Sequence, residues 1–171
     1  MLGKNVILVI LFIACYNANA QKWTTVVLND FAKIDLPKDF TIENQEKSNL
    51  VLFYKDSLYT LSIRVKEFSN RKENPMARKK LLSFYEDLID RMFISDRKRL
   101  VVKKEFEIAK LEGVEVLYSS YIDNLYPVRT KRLLFYKHFL FDFEFTTPAE
   151  QQLVTASLKR QFFNSFSISV D

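Results

Sequence analysis

The side chains in this sequence that could do acid–base chemistry gather in its C-terminal third. His138 is the one histidine, and so the side chain whose unperturbed pKa lies nearest neutrality. Asp142 follows four residues later, on the same side of an ideal strand, where a carboxylate would orient an imidazole. No nucleophile completes a triad, and His138 falls where the chain must reverse, so it reads as a solvent-exposed turn residue. Asp142 and Glu144 are two apart in Phe139-Leu140-Phe141-Asp142-Phe143-Glu144-Phe145, with both carboxylates on one face of a strand and the phenylalanines on the other. Paired carboxylates could exchange protons or hold a hard cation. The plainer reading is a strand with one solvated face, a pattern that Glu105 and Glu107 repeat beside Phe106 and Ile108.

Basic residues cluster at Arg71-Lys72, Arg78-Lys79-Lys80, Arg97-Lys98-Arg99, Lys103-Lys104 and Arg129, Lys131, Arg132. Such patches attract phosphates and anionic head groups. Here 26 basic residues face 21 acidic ones, so the clusters read first as solvated surface, and nucleic acid is not an expected partner. Tyr118, Tyr121, Tyr126 and Tyr136 could line an apolar pocket with placed hydroxyls, although core packing is the default for such a set. The surface candidates are therefore His138, Asp142, Arg129, Lys131 and Arg132. No residue is assigned to catalysis, a cofactor or a metal.

Composition narrows the chemistry further. The chain of 171 residues has one cysteine and two glycines, Gly3 and Gly113. One cysteine forms no internal disulfide, and with one histidine it makes no Cys/His zinc site. Two glycines cannot build a glycine-rich phosphate loop, a dinucleotide fingerprint or a nucleophile elbow.

Residues 1–20 read as a secretory leader. Lys4 precedes the apolar run Val6 to Cys15, and Ala18-Asn19-Ala20 places small residues before Gln21. The run is too short to cross a bilayer. Cleavage after Ala20 is expected, and the competing reading is lipoprotein processing at Cys15. Cleavage would remove the lone cysteine, as suits an oxidising compartment, and leave residues 21–171 as one domain in the periplasm or outside the cell.

Trp23 to Leu28 and Phe31 to Pro37 read as short strands, Asn44 to Asn49 as polar chain without period, and Leu50 to Tyr54 as a strand. In Leu58 to Phe68, Tyr59, Leu61, Ile63 and Val65 alternate with polar residues, as in a half-buried strand. Asn74-Pro75 caps a helix whose apolar stripe is Leu81, Leu82, Tyr85, Leu88, Ile89, Met92 and Phe93, ending near Ser95-Asp96. Two strands follow, Leu100 to Ile108 and Val114 to Ile122, with a turn from Lys110 to Gly113. The apolar stretch Val128 to Thr147 would run about 66 Å as one strand. That exceeds a domain diameter of about 40 Å, so it folds back around Tyr136-Lys137-His138. Thr147-Pro148-Ala149-Glu150 is a capping box opening a second helix, with Leu153, Val154, Ser157, Leu158 and Phe162 on its inner face. A packed tail, Asn164 to Ile168, closes the chain.

This order predicts an α+β fold, an antiparallel β-sheet of about six to eight strands with two main helices packed on it. Several segments together resemble the PsbP-like family, the fold of photosystem II extrinsic subunits and of a Ran-binding adaptor. They are Leu36-Pro37-Lys38-Asp39-Phe40, the helix after the Tyr59 to Phe68 strand, the hairpin through Gly113 and the closing Phe163-Asn164-Ser165-Phe166. The resemblance covers residues 23 to 168 in element order and implies a PsbP-like α/β sandwich in a small exported bacterial member. It also implies a binding or assembly module with no shared catalytic motif to carry over. The expected function is that of a non-catalytic module of the bacterial cell envelope whose partner is an envelope protein and which uses no cofactor. The alternative is a carrier of an apolar ligand or a peripheral module at an anionic membrane surface.

Overall fold

The computed structural model describes residues 21–46, 48–68, 78–93, 98–120 and 127–170. The leader with Cys15, the Asn74-Pro75 cap, Ser95-Asp96, the Asp123-Asn124 turn, Tyr121, Tyr126, Arg71, Lys72 and Arg97 lie outside them. In chain order the elements are β1 (Trp23–Asn29), β2 (Ala32–Pro37), β3 (Thr41–Glu46), β4 (Asn49–Lys55), β5 (Thr60–Glu67) and α1 (Arg78–Phe93). Then come β6 (Lys98–Ile108), β7 (Leu111–Ser120), β8 (Val128–Tyr136), β9 (Phe139–Thr147), α2 (Ala156–Ser165) and β10 (Ser167–Ile168).

Seven strands form one antiparallel sheet in the order β3-β4-β5-β9-β8-β7-β6, and β1, β2 and β10 form a second. The α+β class and the antiparallel sheet of six to eight strands are as expected, and three further strands form a second, smaller sheet. The division follows from the apolar alternation. On β9, Phe141, Phe143 and Phe145 face a core shared with Ile34 and Leu36 of β2, Leu61, Ile63 and Val65 of β5, and Phe162 and Phe163 of α2. The opposite face of the large sheet supplies Val114, Val116, Tyr118, Leu133, Phe135 and Leu140 to a second core under Tyr85 and Ile89 of α1. Alternation along β8 sends Leu134 to the first core and Leu133 and Phe135 to the second. Each helix thus covers its own face of the large sheet.

Tyr85 also repairs the sheet. The β7–β8 ladder stops at the pair Gly113 and Leu134, and there the Tyr85 hydroxyl accepts from Phe135 N–H at 2.7 Å and donates to the Glu112 carbonyl at 3.1 Å. A buried N–H that would lack a strand partner is satisfied by a helix side chain. Burial pushes the Tyr85 phenol well above its ordinary pKa and keeps it a donor.

Local expectations are corrected at three places. Residues Thr41–Glu46 form an edge strand although they show no apolar period, because every side chain there except the half-buried Asn44 is exposed. The proposed capping box does not cap: Thr147 Oγ1 donates to the Leu58 carbonyl at 2.9 Å, Ala149–Gln151 is a short 3-10 turn, and the helix starts only at Ala156. Leu153 and Val154 therefore stay outside, 91% and 62% exposed. Finally, the β6–β7 reversal is the two-residue turn Ala109-Lys110, both at positive φ (48° and 66°), and Gly113 lies inside β7 opposite Phe106. The glycine serves close approach rather than turning: a Cβ there would stand 2.5 Å from the Phe106 ring and 2.8 Å from the Leu133 carbonyl oxygen. Among the described residues, no helix is long and apolar enough to cross a membrane.

Candidate functional site

The helix α1 leaves part of the large sheet uncovered beside it, and side chains of β5, β9, β8 and β7 line a cleft of about 460 Å³ there. Strand register dictates which residues meet. On β9, Asp142 and Glu144 alternate with the buried phenylalanines and so point toward the α1 side. The register sets Arg64 of β5 opposite Asp142, and Lys131 of β8 opposite Glu144. Arg129 of β8 stands opposite Tyr118 of β7. Opposite charges on directly facing or diagonal positions are near enough to pair.

The pairing forms a closed network. Lys131 Nζ donates to both carboxylate oxygens of Asp142, at 2.5 and 2.8 Å, and lies 3.2 Å from Glu144 Oε2. Arg129 donates through Nη1 to Glu144 Oε1 at 2.8 Å and through Nε to Ser120 Oγ at 3.1 Å. The Tyr118 hydroxyl donates to Glu144 Oε2 at 2.6 Å. These groups are withdrawn from solvent rather than set on a solvated face, with Lys131, Glu144 and Asp142 only 12%, 14% and 16% exposed. Burial alone would raise the Glu144 pKa, but the Lys131 charge, the Tyr118 hydroxyl and Arg129 outweigh it and hold the carboxyl at about 2. Burial and the adjacent Glu144 push the Tyr118 phenol well above its usual range, so it remains a donor.

Chemically, the pair Asp142 and Glu144 is already occupied. The Lys131 ammonium sits between the two carboxylates, where a hard cation would sit. Glu144, ionised at every physiological pH, is poorly matched to general acid–base work, which favours groups titrating near the working pH.

The remaining sequence candidates lie elsewhere. His138 is in the β8–β9 hairpin turn after Lys137, which has φ of 56°. Its Nε2 lies 3.4 Å from Glu67 and its ring rests on Phe139, while Asp142 is taken by Lys131, so no His138–Asp142 dyad forms. Arg132 neighbours Lys131 in sequence but points to the opposite face. There its guanidinium lies between the Phe106 and Phe163 rings, 4.9 and 4.5 Å from their centroids, and donates to Glu115 at 2.6 Å. Burial would raise the Glu115 pKa, but Lys104 and Arg132 bring it below its ordinary value. Arg132 is therefore a packing residue that ties β7 and β8 to β6 and α2.

Sequence reasoning missed three cations of the cleft: Arg64 and Lys66 on β5 and Arg91 on α1. All three are exposed, and among the described residues none makes an ion pair within 4 Å. Lys66 lies over the Phe68 ring, 5.1 Å from its centroid. A signal existed in the β5 alternation, which places Arg64 and Lys66 on the non-core face. What the alternation cannot tell is that β9 lies beside them. Phe68, Leu88 and Met92 form an apolar wall along the same cleft.

No protein-family model and no curated protein matches the sequence. Solved structures do. The cyanobacterial PsbP protein CyanoP from Synechocystis sp. PCC 6803 superposes with a TM-score of 0.61 at 11% identity, over 88% of this chain and 95% of that one. LpqN, involved in cell envelope biogenesis of Mycobacterium tuberculosis, gives 0.59 at 9% identity, over 92% and 97%. The Saccharomyces cerevisiae Ran-binding protein Mog1p gives 0.50 at 10% identity, over 87% and 96%. At such identities the likeness is one of fold alone.

Proposed function

The chain has the PsbP-like fold, and we propose that it serves as an exported, non-catalytic binding or assembly module of the bacterial cell envelope, with the cleft beside α1 as its recognition surface. The observation that carries this reading is the division of charge in the cleft. Asp142 and Glu144 are neutralised by Lys131 and Arg129, while Arg64, Lys66 and Arg91 line the cleft, exposed and without an ion-pair partner among the described residues. Such a surface is suited to recognition rather than proton transfer. Export is supported by the leader-like residues 1–20, and an envelope role by the likeness to LpqN. The larger core favours this reading over a closed carrier of apolar molecules. The void among Ile34, Phe106, Leu134 and Phe143 is about 10 Å³, room for no more than a water molecule.

The test is made in the native cell. A photoreactive amino acid in place of Leu88, on the cleft wall, should give discrete adducts after irradiation of intact cells. Mass spectrometry of the purified protein should show a chain that begins at Gln21 or at acylated Cys15. Adducts that vanish in the variant carrying Arg64→Glu and Arg91→Glu support the cleft as the recognition surface. A full-length chain confined to the cytoplasm, or adducts indifferent to both charge reversals, would overturn it.

A further inference from the structure

Resting on that reading, we infer that the cleft takes a small organic anion with an apolar body, its carboxylate or phosphate head among Arg64, Lys66 and Arg91 and its body along Phe68, Leu88 and Met92. Three observations converge on this ligand class. The first is charge: five cations and two carboxylates line the cleft, and Arg129 and Lys131 are spent on the carboxylates. The surplus therefore lies on Arg64 and Lys66 of β5 and on Arg91 of α1, which line the same cleft. Guanidinium groups suit the planar, bidentate oxygens of carboxylate and phosphate, and Lys66 adds a point charge.

The second is that Arg64 and Arg91, unlike Lys66 over the Phe68 ring, serve no visible structural end among the described residues. Arg64 and Arg91 hold no ion pair within 4 Å among the described residues, whereas Arg129, Lys131 and Arg132 are each engaged. An anion would find Arg64 and Arg91 at no cost in broken salt bridges. Asp142 and Glu144 also line the cleft, but each is already neutralised, so neither presents a free charge to repel the head group.

The third is size and wall. A volume of about 460 Å³ lies within the ~300–1,000 Å³ range of small-molecule sites, here with a strongly charged side and an apolar one. Phe68, Leu88 and Met92 supply the apolar side, and the flexible methionine adapts to an irregular body.

The probes are decanoate and decyl phosphate below their micellar concentrations, with inorganic phosphate, decyltrimethylammonium, a hexaglutamate peptide and phosphatidylglycerol vesicles as comparisons. Affinity is read by calorimetry on the purified protein, and location by amide and side-chain NMR shifts. Both anionic amphiphiles should saturate, with shifts concentrated at Arg64, Lys66, Leu88, Arg91 and Met92. Inorganic phosphate should bind at least ~10-fold more weakly for want of an apolar body, and the cationic amphiphile not at all. Arg64→Gln and Arg91→Gln alter exposed side chains that hold no ion pair among the described residues, and should each weaken decanoate about 10-fold, the worth of one charge-assisted contact. Met92→Ala should weaken decanoate and leave phosphate unchanged.

Absence of saturable binding by either amphiphile, or binding indifferent to both glutamine variants, refutes the inference. So does a preference for hexaglutamate, which would make the ligand an acidic chain, or response to the vesicles alone without cleft shifts. If cleft adducts from Leu88 persist in cells while both amphiphiles fail, the ligand class is wrong and the recognition surface stands; if both vanish, both readings fall.

Discussion

The substitution Glu144→Gln tests the neutralised network most directly. Glu144 has an ordinary pKa of 4.5 when unfolded and about 2 in the folded protein. At 1.36 kcal/mol per pKa unit, that difference amounts to about 3 kcal/mol of stability. The sign follows from the direction. A depressed carboxyl pKa contributes its full stability above about pH 4.5 and loses it progressively as pH falls toward 2. Glutamine keeps the shape and one acceptor oxygen for Arg129 or Tyr118 but never carries the charge. Wild type should therefore exceed Glu144→Gln by about 3 kcal/mol at pH 7, and the two should converge near pH 2. Urea unfolding of both proteins at several pH values gives this gap, and common changes in other carboxylates cancel in the difference. A gap independent of pH, or a Glu144 carboxyl resonance titrating near its ordinary value, would refute the reasoning. It would also leave Glu144 free for proton transfer or cation binding.

Three further outcomes follow from the fold. Gly113→Ala should cost about 1–3 kcal/mol in thermal or urea unfolding, since the new Cβ meets the Leu133 carbonyl oxygen, a backbone atom, as well as the Phe106 ring. Phe106→Ala should not rescue it fully. Replacing Ala109-Lys110 by Asn-Gly should stabilise by about 1–2 kcal/mol, because both turn residues now occupy the left-handed region that such a pair favours; a loss in the urea midpoint would contradict that geometry. Tyr85→Phe should cost about 1–3 kcal/mol and sharply reduce hydrogen-exchange protection at the Phe135 amide, which would lose its acceptor. Unchanged protection would show that another group satisfies it.

What was legible in the sequence is what one-dimensional periodicity encodes. The alternation of Tyr59, Leu61, Ile63 and Val65 on one face, and of Phe141, Phe143 and Phe145 on β9, matches burial in the first core. The stripe from Leu81 to Phe93 does the same for α1, where Tyr85 and Ile89 are buried in the second core. Strand β3 was not legible because a strand exposed on both faces has no period to read. The capping box failed because Thr147 is still in β9, and tertiary packing claimed its hydroxyl for the Leu58 carbonyl before a helix could use it. Gly113 was placed in the turn on the usual preference of glycine for reversals, whereas the Phe106 ring needs the room its absent side chain leaves. At the cleft, alternation groups Asp142 and Glu144 on the face of β9 away from the phenylalanines, but that face is a paired network of low exposure rather than a solvated one, and Arg129 and Lys131 read in the sequence only as members of a basic cluster. Sequence reasoning could not place β5 beside β9, a pairing that spans all of α1 and β6 to β8. Arg64 and Lys66 therefore stayed apart from the carboxylates, and Arg132 was grouped with Lys131 although alternation puts them on opposite faces.

The two groups of cations in the cleft differ in what they do for the fold. A sheet face left uncovered by a helix needs polar side chains, and mutual neutralisation among Lys131, Arg129, Asp142 and Glu144 meets that need at low solvent exposure. Those residues cannot be changed without stranding a partner of opposite charge, and the cost of stranding a buried charge exceeds that of removing the pair together. Arg64, Lys66 and Arg91 stand outside this arrangement. Each is exposed and without an ion pair among the described residues, so its removal strands nothing. Exposed charges without partners contribute little to stability. Arg64 and Arg91 remain beside an apolar wall in a cleft large enough for a small molecule, whose lining carries net positive charge. Folding accounts for the neutralised network. For Arg64 and Arg91 it offers no reason, and recognition of an anionic group does.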